Sequence, residues 1–231
     1  MVRNRLLVRR FAHVIAALLV ASIAAPGAFA DGHGDDVLSR ARAVERTQLH
    51  ALAGTTLQMR THGTVREGNA SHTLDALRRL SIGSDGSVHN DFVWGRFDGQ
   101  PLDEVALRKA TGAPAKPPKQ AEALTVALAP LSAGDVDVQP VGPVADGGYL
   151  LRCKIRRDAA VAAIDVVVDE ATGKKRSAAM HPAGRLVQLA DRADMQLTYA
   201  SDGTPAQLRS QFAASILWVK RAADLTTTRL P

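Results

Sequence analysis

The amino-acid sequence predicts a mainly β, α+β protein built on an antiparallel sheet. Apolar residues recur with a period of two in about ten separate stretches, the spacing of half-buried strands. Turn signals part those stretches, among them Ser84-Asp85-Gly86, Asp98-Gly99 and Thr172-Gly173, as in hairpins and meanders. A helical period appears in only three places, one before the strands and two between them. Strands this numerous close into a barrel, curl into a half-barrel or stack as a sandwich, and the pattern alone leaves those three open.

The chain begins with a leader. Arg3, Arg5, Arg9 and Arg10 precede the apolar run FAHVIAALLVASIAA, which breaks at Pro26-Gly27 and ends Ala28-Phe29-Ala30. A basic start, an apolar centre and a small-x-small end predict a secretory signal peptide over residues 1–30, cleaved after Ala30. Residues 31–231 then form a single domain. Nothing later in the chain is long and apolar enough to predict a transmembrane segment. The leader holds four of the 29 basic residues and none of the 23 acidic ones, so the net charge falls from +6 to +2 on its removal. That removes the electrostatic ground for a nucleic-acid partner. Arg far outnumbers Lys and Ala is abundant, a bias that points to a GC-rich bacterial genome and a Gram-negative periplasm. There the sequon Asn69-Ala70-Ser71 is expected to be silent, and the single Cys153 can form no internal disulfide.

Residues 35–53 predict the first helix. Val37, Leu38, Ala41, Val44, Leu49 and Leu52 fall mostly on one face, Asp35 and Asp36 suit its N-terminus, and Gly54 closes it. Next, Leu57, Met59 and Val65 alternate with Gln58, Arg60, His62, Thr64 and Arg66, a strand. Leu74, Ala76, Leu80 and Ile82 mark a second. Val88, Phe92 and Trp94 are expected to share one face of a third, which ends at Asp98-Gly99. A helical insertion with a Pro-rich linker follows at about 101–133. Its expected parts are a short helix over 101–112 with Pro101 in the first turn, the linker at 113–118, and an apolar helix over 120–129 stopped by Pro130.

The second half returns to strands. DVDVQPV is short and limited by Pro140, which predicts an edge. GYLLRCKIRR places Cys153 in alternation with Tyr149, Leu151 and Ile155, so a buried structural thiol is expected. AAIDVVVDE, the turn Glu170-Ala171-Thr172-Gly173, KKRSAAM, RADMQLTYA, the turn Ser201-Asp202-Gly203-Thr204-Pro205, QLRSQFA and ILWVKRAADLTTTRL complete the chain.

Little here predicts an enzyme. The sequence has no His-Glu-x-x-His, no phosphate loop, no Gly-x-Ser-x-Gly and no Cys pair. Asp165 and Asp169 share a strand face but stand roughly 13 Å apart, too far for a carboxylate pair. His62, His72 and His89 are the one focus for catalysis, and only if the meander aligns them. His33 has a different promise. Cleavage after Ala30 leaves a chain starting Asp31-Gly32-His33, whose free amine, two amides and imidazole make a square-planar nitrogen set. Such a set suits Cu(II) or Ni(II), so Asp31, Gly32 and His33 are a candidate metal site. No cofactor is otherwise expected.

YLLRCKI, AAIDVVVDEATGKKRSAAM, MQLTYASDGTPAQLRSQF and ILWVKRAADLTTTRL together resemble the second half of the outer-membrane lipoprotein-sorting (LolA/LolB-like) superfamily. The shared features are a strand ending in an acidic-Thr-Gly hairpin and an Asp-Gly-x-Pro turn before paired terminal strands. The first half fits through its helix, its meander FVWGRFDGQPL and its inserted helix. The resemblance implies a strongly curved antiparallel sheet, an incomplete barrel with helices plugging the open side, that holds acyl chains or other apolar ligands. On the period-two pattern, the candidate cavity residues are Leu57, Met59, Val65, Leu74, Leu80, Phe92, Trp94, Leu151, Ile164, Val166, Val168, Leu197 and Tyr199. The function expected is a periplasmic carrier of a lipid or lipoprotein. The alternative is a module that binds another envelope protein, as a stress sensor does, without a lipid.

Overall fold

The computed structural model describes residues 32–84, 87–106, 123–133, 136–156, 161–182, 190–216 and 219–231. The expected leader at 1–30, Asp31, the expected linker at 113–118 and most of the expected helix over 101–112 lie outside the described residues. Helix α1 (Gly32–Leu52) opens the chain. Four strands follow, β1 (Thr56–Glu67), β2 (Ala70–Ile82), β3 (Val88–Phe97) and β4 (Gln100–Leu102). After helix α2 (Ala123–Leu128) come β5 (Val136–Val144), β6 (Gly148–Ile155), β7 (Val161–Asp169), β8 (Lys175–Pro182), β9 (Ala190–Tyr199), β10 (Pro205–Ile216) and β11 (Val219–Arg229).

All eleven strands belong to one open antiparallel sheet, in the order β4-β3-β2-β1-β11-β10-β9-β8-β7-β6-β5. Each half is a plain meander. The join is the pairing of β1 with β11, which brings the beginning of the strand region beside its end. Gly63 sits in the middle of that join, opposite Leu225. A Cβ there would stand 2.1 Å from the Asp224 carbonyl oxygen, so the two backbones approach more closely than any side chain allows.

Two expectations fail in β3 and β4. The chain does not start a helix at Pro101. Asp98 and Gly99 both take positive φ, 49° and 78°, which makes a two-residue hairpin turn. Gln100–Leu102 therefore reverses and pairs with Gly95–Phe97 as an eleventh strand. The helical start comes later, where the Asp103 carboxylate accepts the Ala106 N–H at 2.7 Å. Trp94, in turn, does not share the face of Val88 and Phe92. The register shifts between Leu77 and Arg78, with Arg78 opposite Phe92 and Leu77 opposite Trp94. Val93 is the extra residue of a β-bulge, which turns Trp94 to the outer face.

One face of the sheet carries the core. Val37, Leu38 and Ala41 of α1, Ala127 of α2 and Leu131 join Met59, Leu80, Leu151, Cys153, Ile164, Val166, Val168, Met180 and Leu197 in one buried cluster. The turns that carry the family resemblance are the docking points of α1. In the β7–β8 turn Gly173 has φ of 72°, and a Cβ there would lie 2.9 Å from the Ala41 nitrogen. In the β9–β10 turn Gly203 has φ of 81°, and its Cβ would strike Gln48 at 2.0 Å. Both turns need a left-handed residue with no side chain against the helix. Arg40 Nη1 donates to the Glu170 carbonyl at 2.5 Å and completes the contact.

A buried polar cluster anchors α2. Lys175 Nζ lies 3.2 Å from Glu45 Oε2, and both side chains are almost wholly buried. The ammonium also donates to the Leu128 carbonyl at 2.6 Å, and the Tyr199 hydroxyl donates to the Ala127 carbonyl at 2.9 Å. Glu45 Oε1 accepts the Leu131 N–H at 3.1 Å, and Arg42 Nε donates to the Leu131 carbonyl at 3.0 Å. The last carbonyls of α2, which have no partner inside the helix, are thereby satisfied. A cation at that end also suits the helix dipole. Burial pushes the Lys175 pKa down, while Glu45 opposes the shift.

Candidate functional site

Not all of the apolar face lies beneath the helices. Leu74 and Ala76 form a second buried cluster with Val65, Phe92, Phe97, Leu102 and Leu225, all of them strand residues and all but the first two half-buried. Strand register extends it sideways. Leu74 stands opposite both Phe97 and Gly63, Gly63 opposite Leu225, Leu225 opposite Ser210, and Ser210 opposite Met195. One step farther along the strands, Val65 faces Ala223, Ala223 faces Phe212, and Phe212 faces Ala193. Phe97, Leu225, Met195, Val65, Ala223, Phe212 and Ala193 are each half-buried, and Met195 also packs against the helix-covered cluster. They make an apolar strip across β3, β1, β11, β10 and β9.

The candidate cavity residues divide accordingly. Met59, Leu80, Leu151, Ile164, Val166 and Val168 are 0% exposed and Leu197 is 1% exposed, all in the helix-covered cluster. Leu57 and Tyr199 pack against the same cluster. Val65, Leu74 and Phe92 belong to the strip side, and Trp94 is on the outer face. Phe97, Leu102, Leu225 and Phe212 were not among the candidates. The two-residue turn at Asp98-Gly99 is the signal that places Leu102 opposite Gly95, diagonal to Phe97 on the same face.

One histidine lies on the polar border of the strip among the described residues. His72, opposite Val65, stacks on Phe97 with ring centroids 4.9 Å apart and holds Asp98 Oδ2 through Nδ1 at 2.7 Å. The hydrogen bond from His72 and the Thr73 N–H hold the Asp98 carboxyl below its ordinary range. His62 stands opposite Asp75 and His89 opposite Ser81, both on the outer face. The three histidines do not converge. Cys153 is buried, and burial together with the nearby Glu45 and Asp165 charges pushes its thiol up to about 12. It is a packed, protonated thiol.

Among the described residues no three His, Cys, Asp or Glu side chains gather as a metal site. His33 lies in the first turn of α1, where Nε2 meets Glu170 Oε1 at 2.7 Å and the ring stands edge-on to Tyr149 at 5.9 Å. A cleft of about 280 Å³ is lined by Thr64, Arg66, Arg192, Gln211, Ala213, Ala222 and Asp224, together with Phe212 and Ala223 of the strip. Arg192 Nε donates to Asp194 at 2.6 Å, and the Gln211 amide donates to Asp224 at 2.8 Å, so most of its charges are matched internally.

No family model and no curated protein matches the chain. Solved structures do. A LolA superfamily protein from Nitrosomonas europaea is 12% identical, with 86% of this chain and 94% of that one covered and a TM-score of 0.32. A DUF1329 family protein from Desulfovibrio piger is 13% identical over 83% and 89%, with a TM-score of 0.37. A putative outer-membrane lipoprotein-sorting protein domain from Vibrio parahaemolyticus is 10% identical over 84% and 91%, with a TM-score of 0.31. No described helix is long and apolar enough to cross a membrane.

Proposed function

We propose that the protein is a secreted periplasmic binding protein that shelters an apolar ligand, a lipid or the acyl chains of a lipoprotein, against the strip in a curled half-barrel. One observation supports this most. The second apolar cluster is built from strands alone and stays half-exposed, while the rest of the same face is packed under α1 and α2. A monomer gains nothing from leaving Phe97, Leu225 and Phe212 half in water. An acyl chain laid along them gains up to about 0.8 kcal/mol for each methylene it buries.

The test is a native mass spectrum of the protein taken from a bacterial periplasm. Adducts of lipid size, displaced by added fatty acid and lost in Phe212→Ser, support the carrier. Bare protein even after lipid is offered overturns it. The tight packing of the helix-covered half favours a second function as well, in which the strip receives apolar side chains of another envelope protein. Bare protein that still loses a partner in Phe212→Ser is the result that selects it.

A further inference from the structure

The strip ends on a pair of opposite charges. One step beyond Val65 and Ala223 on the same face, Glu67 stands opposite Arg221, about 6.6 Å farther along the strands. Arg221 donates to Glu67 Oε1 from Nη2 at 2.5 Å and from Nε at 3.2 Å. Their neighbours in that row are Ala70 on β2 and Ala214 on β10. Glu67 and Arg221 are thus the charged side chains of the row across β2, β1, β11 and β10, and both are more than half exposed, at 56% and 58%. The Gly68 N–H donates to the Lys220 carbonyl at 2.9 Å, which fixes the backbone under the pair.

We infer that this pair is the head-group end of the ligand site, and that the ligand is an amphiphile with a zwitterionic head: an acyl chain joined to a phosphoethanolamine-type group. This rests on the carrier function proposed above. A chain lying over Leu225, Val65 and Phe212 leaves its polar end beside the pair. A phosphate oxygen takes the Arg221 guanidinium, whose planar fork suits it, and the ammonium takes Glu67. One ion pair is exchanged for two. A purely anionic head satisfies Arg221 but sets a like charge beside Glu67, and a neutral head leaves both as they were. Exposed ion pairs contribute little, so the expected preference is about three- to fivefold.

The experiment titrates the purified protein with lysophosphatidylethanolamine, lysophosphatidylglycerol and a monoacylglycerol of the same chain, each below its micellar concentration. The first is expected to bind about three- to fivefold more tightly than the others. Glu67→Gln removes its advantage over lysophosphatidylglycerol, and Arg221→Gln its advantage over the monoacylglycerol. The exchange variant Glu67→Arg/Arg221→Glu restores a pair and controls for folding, and it keeps the preference. Equal binding of all three probes, weakened by Phe212→Ser, overturns the head-group site and leaves the carrier standing. An unchanged ranking in both single variants also overturns it. No binding of any probe removes the carrier and the head-group site together.

Discussion

Asp202 does two jobs in the β9–β10 turn. Its Oδ1 accepts the Thr204 N–H at 3.0 Å and the Thr204 hydroxyl at 2.6 Å, and its Oδ2 accepts Arg229 Nη1 at 2.6 Å. Partial burial pushes the carboxyl upward, but Thr204 and Arg229 outweigh it and bring the pKa down from 3.8 to about 2. A carboxyl held lower in the folded state than in the unfolded one stabilises fully above about pH 4. That contribution is lost as the pH falls from there toward 2. Asp202→Asn is therefore expected to cost roughly 1 kcal/mol at neutral pH, after allowance for solvent screening. Below pH 4 its stability falls less steeply than that of the unaltered protein, as urea unfolding at a series of pH values will show. Asp169 has the same role in the β7–β8 turn, where the Thr172 hydroxyl, Arg176 and the Thr172 N–H bring it to about 2. The acidic-Thr-Gly and Asp-Gly turns were legible in the sequence because their chemistry is local. What they do, which is to seat two hairpins on α1, was not.

Helix α2 has six residues, too few to stand by itself. Its place depends on Glu45 and Lys175, which come from α1 and β8. Lys175→Met leaves the Glu45 charge buried and the Leu128 carbonyl unpaired, and is expected to cost roughly 3–5 kcal/mol. Glu45→Leu combined with Lys175→Met recovers part of that loss by removing the unpaired charge. Amide exchange at Leu128 should quicken in the single variant and slow again in the double one, while Leu131, whose N–H has lost its Glu45 acceptor, stays fast there. Period-two counting could not find this anchor. From Ala178 and Met180, alternation points Arg176 inward and Lys175 outward. The register shift between Val167 and Val168 leaves Val168 opposite Lys175 and turns that lysine into the core. The Val93 bulge misplaced Trp94 for the same reason. Alternation reports faces correctly until one strand gains a residue, and a bulge made of ordinary residues leaves no mark in composition.

The sheet as a whole hangs on the β1–β11 join. Gly63→Ala sets a methyl group 2.1 Å from the Asp224 carbonyl oxygen, and neither backbone can yield without losing hydrogen bonds on both sides. A loss of roughly 1–3 kcal/mol is expected, read as a lower urea midpoint with an unchanged slope. Within each half, strand order followed from short turns that join neighbours in sequence. The join could not be read in the same way, because β1 and β11 are separated by almost the whole chain. The apolar strip, which straddles it, was hidden for the same reason. Only Val65, Leu74 and Phe92 were found, while Leu225 and Phe212 come from the far end.

The same join sets an order of events during synthesis. β1 has β2 on one side and, until Val219–Arg229 is made, nothing on the other. Two half-sheets with open edges must wait for the last strand to be delivered. Contacts this distant in sequence form slowly, and an unpaired edge invites pairing with other chains. The growing chain is therefore better kept unfolded until its C-terminal strand has arrived.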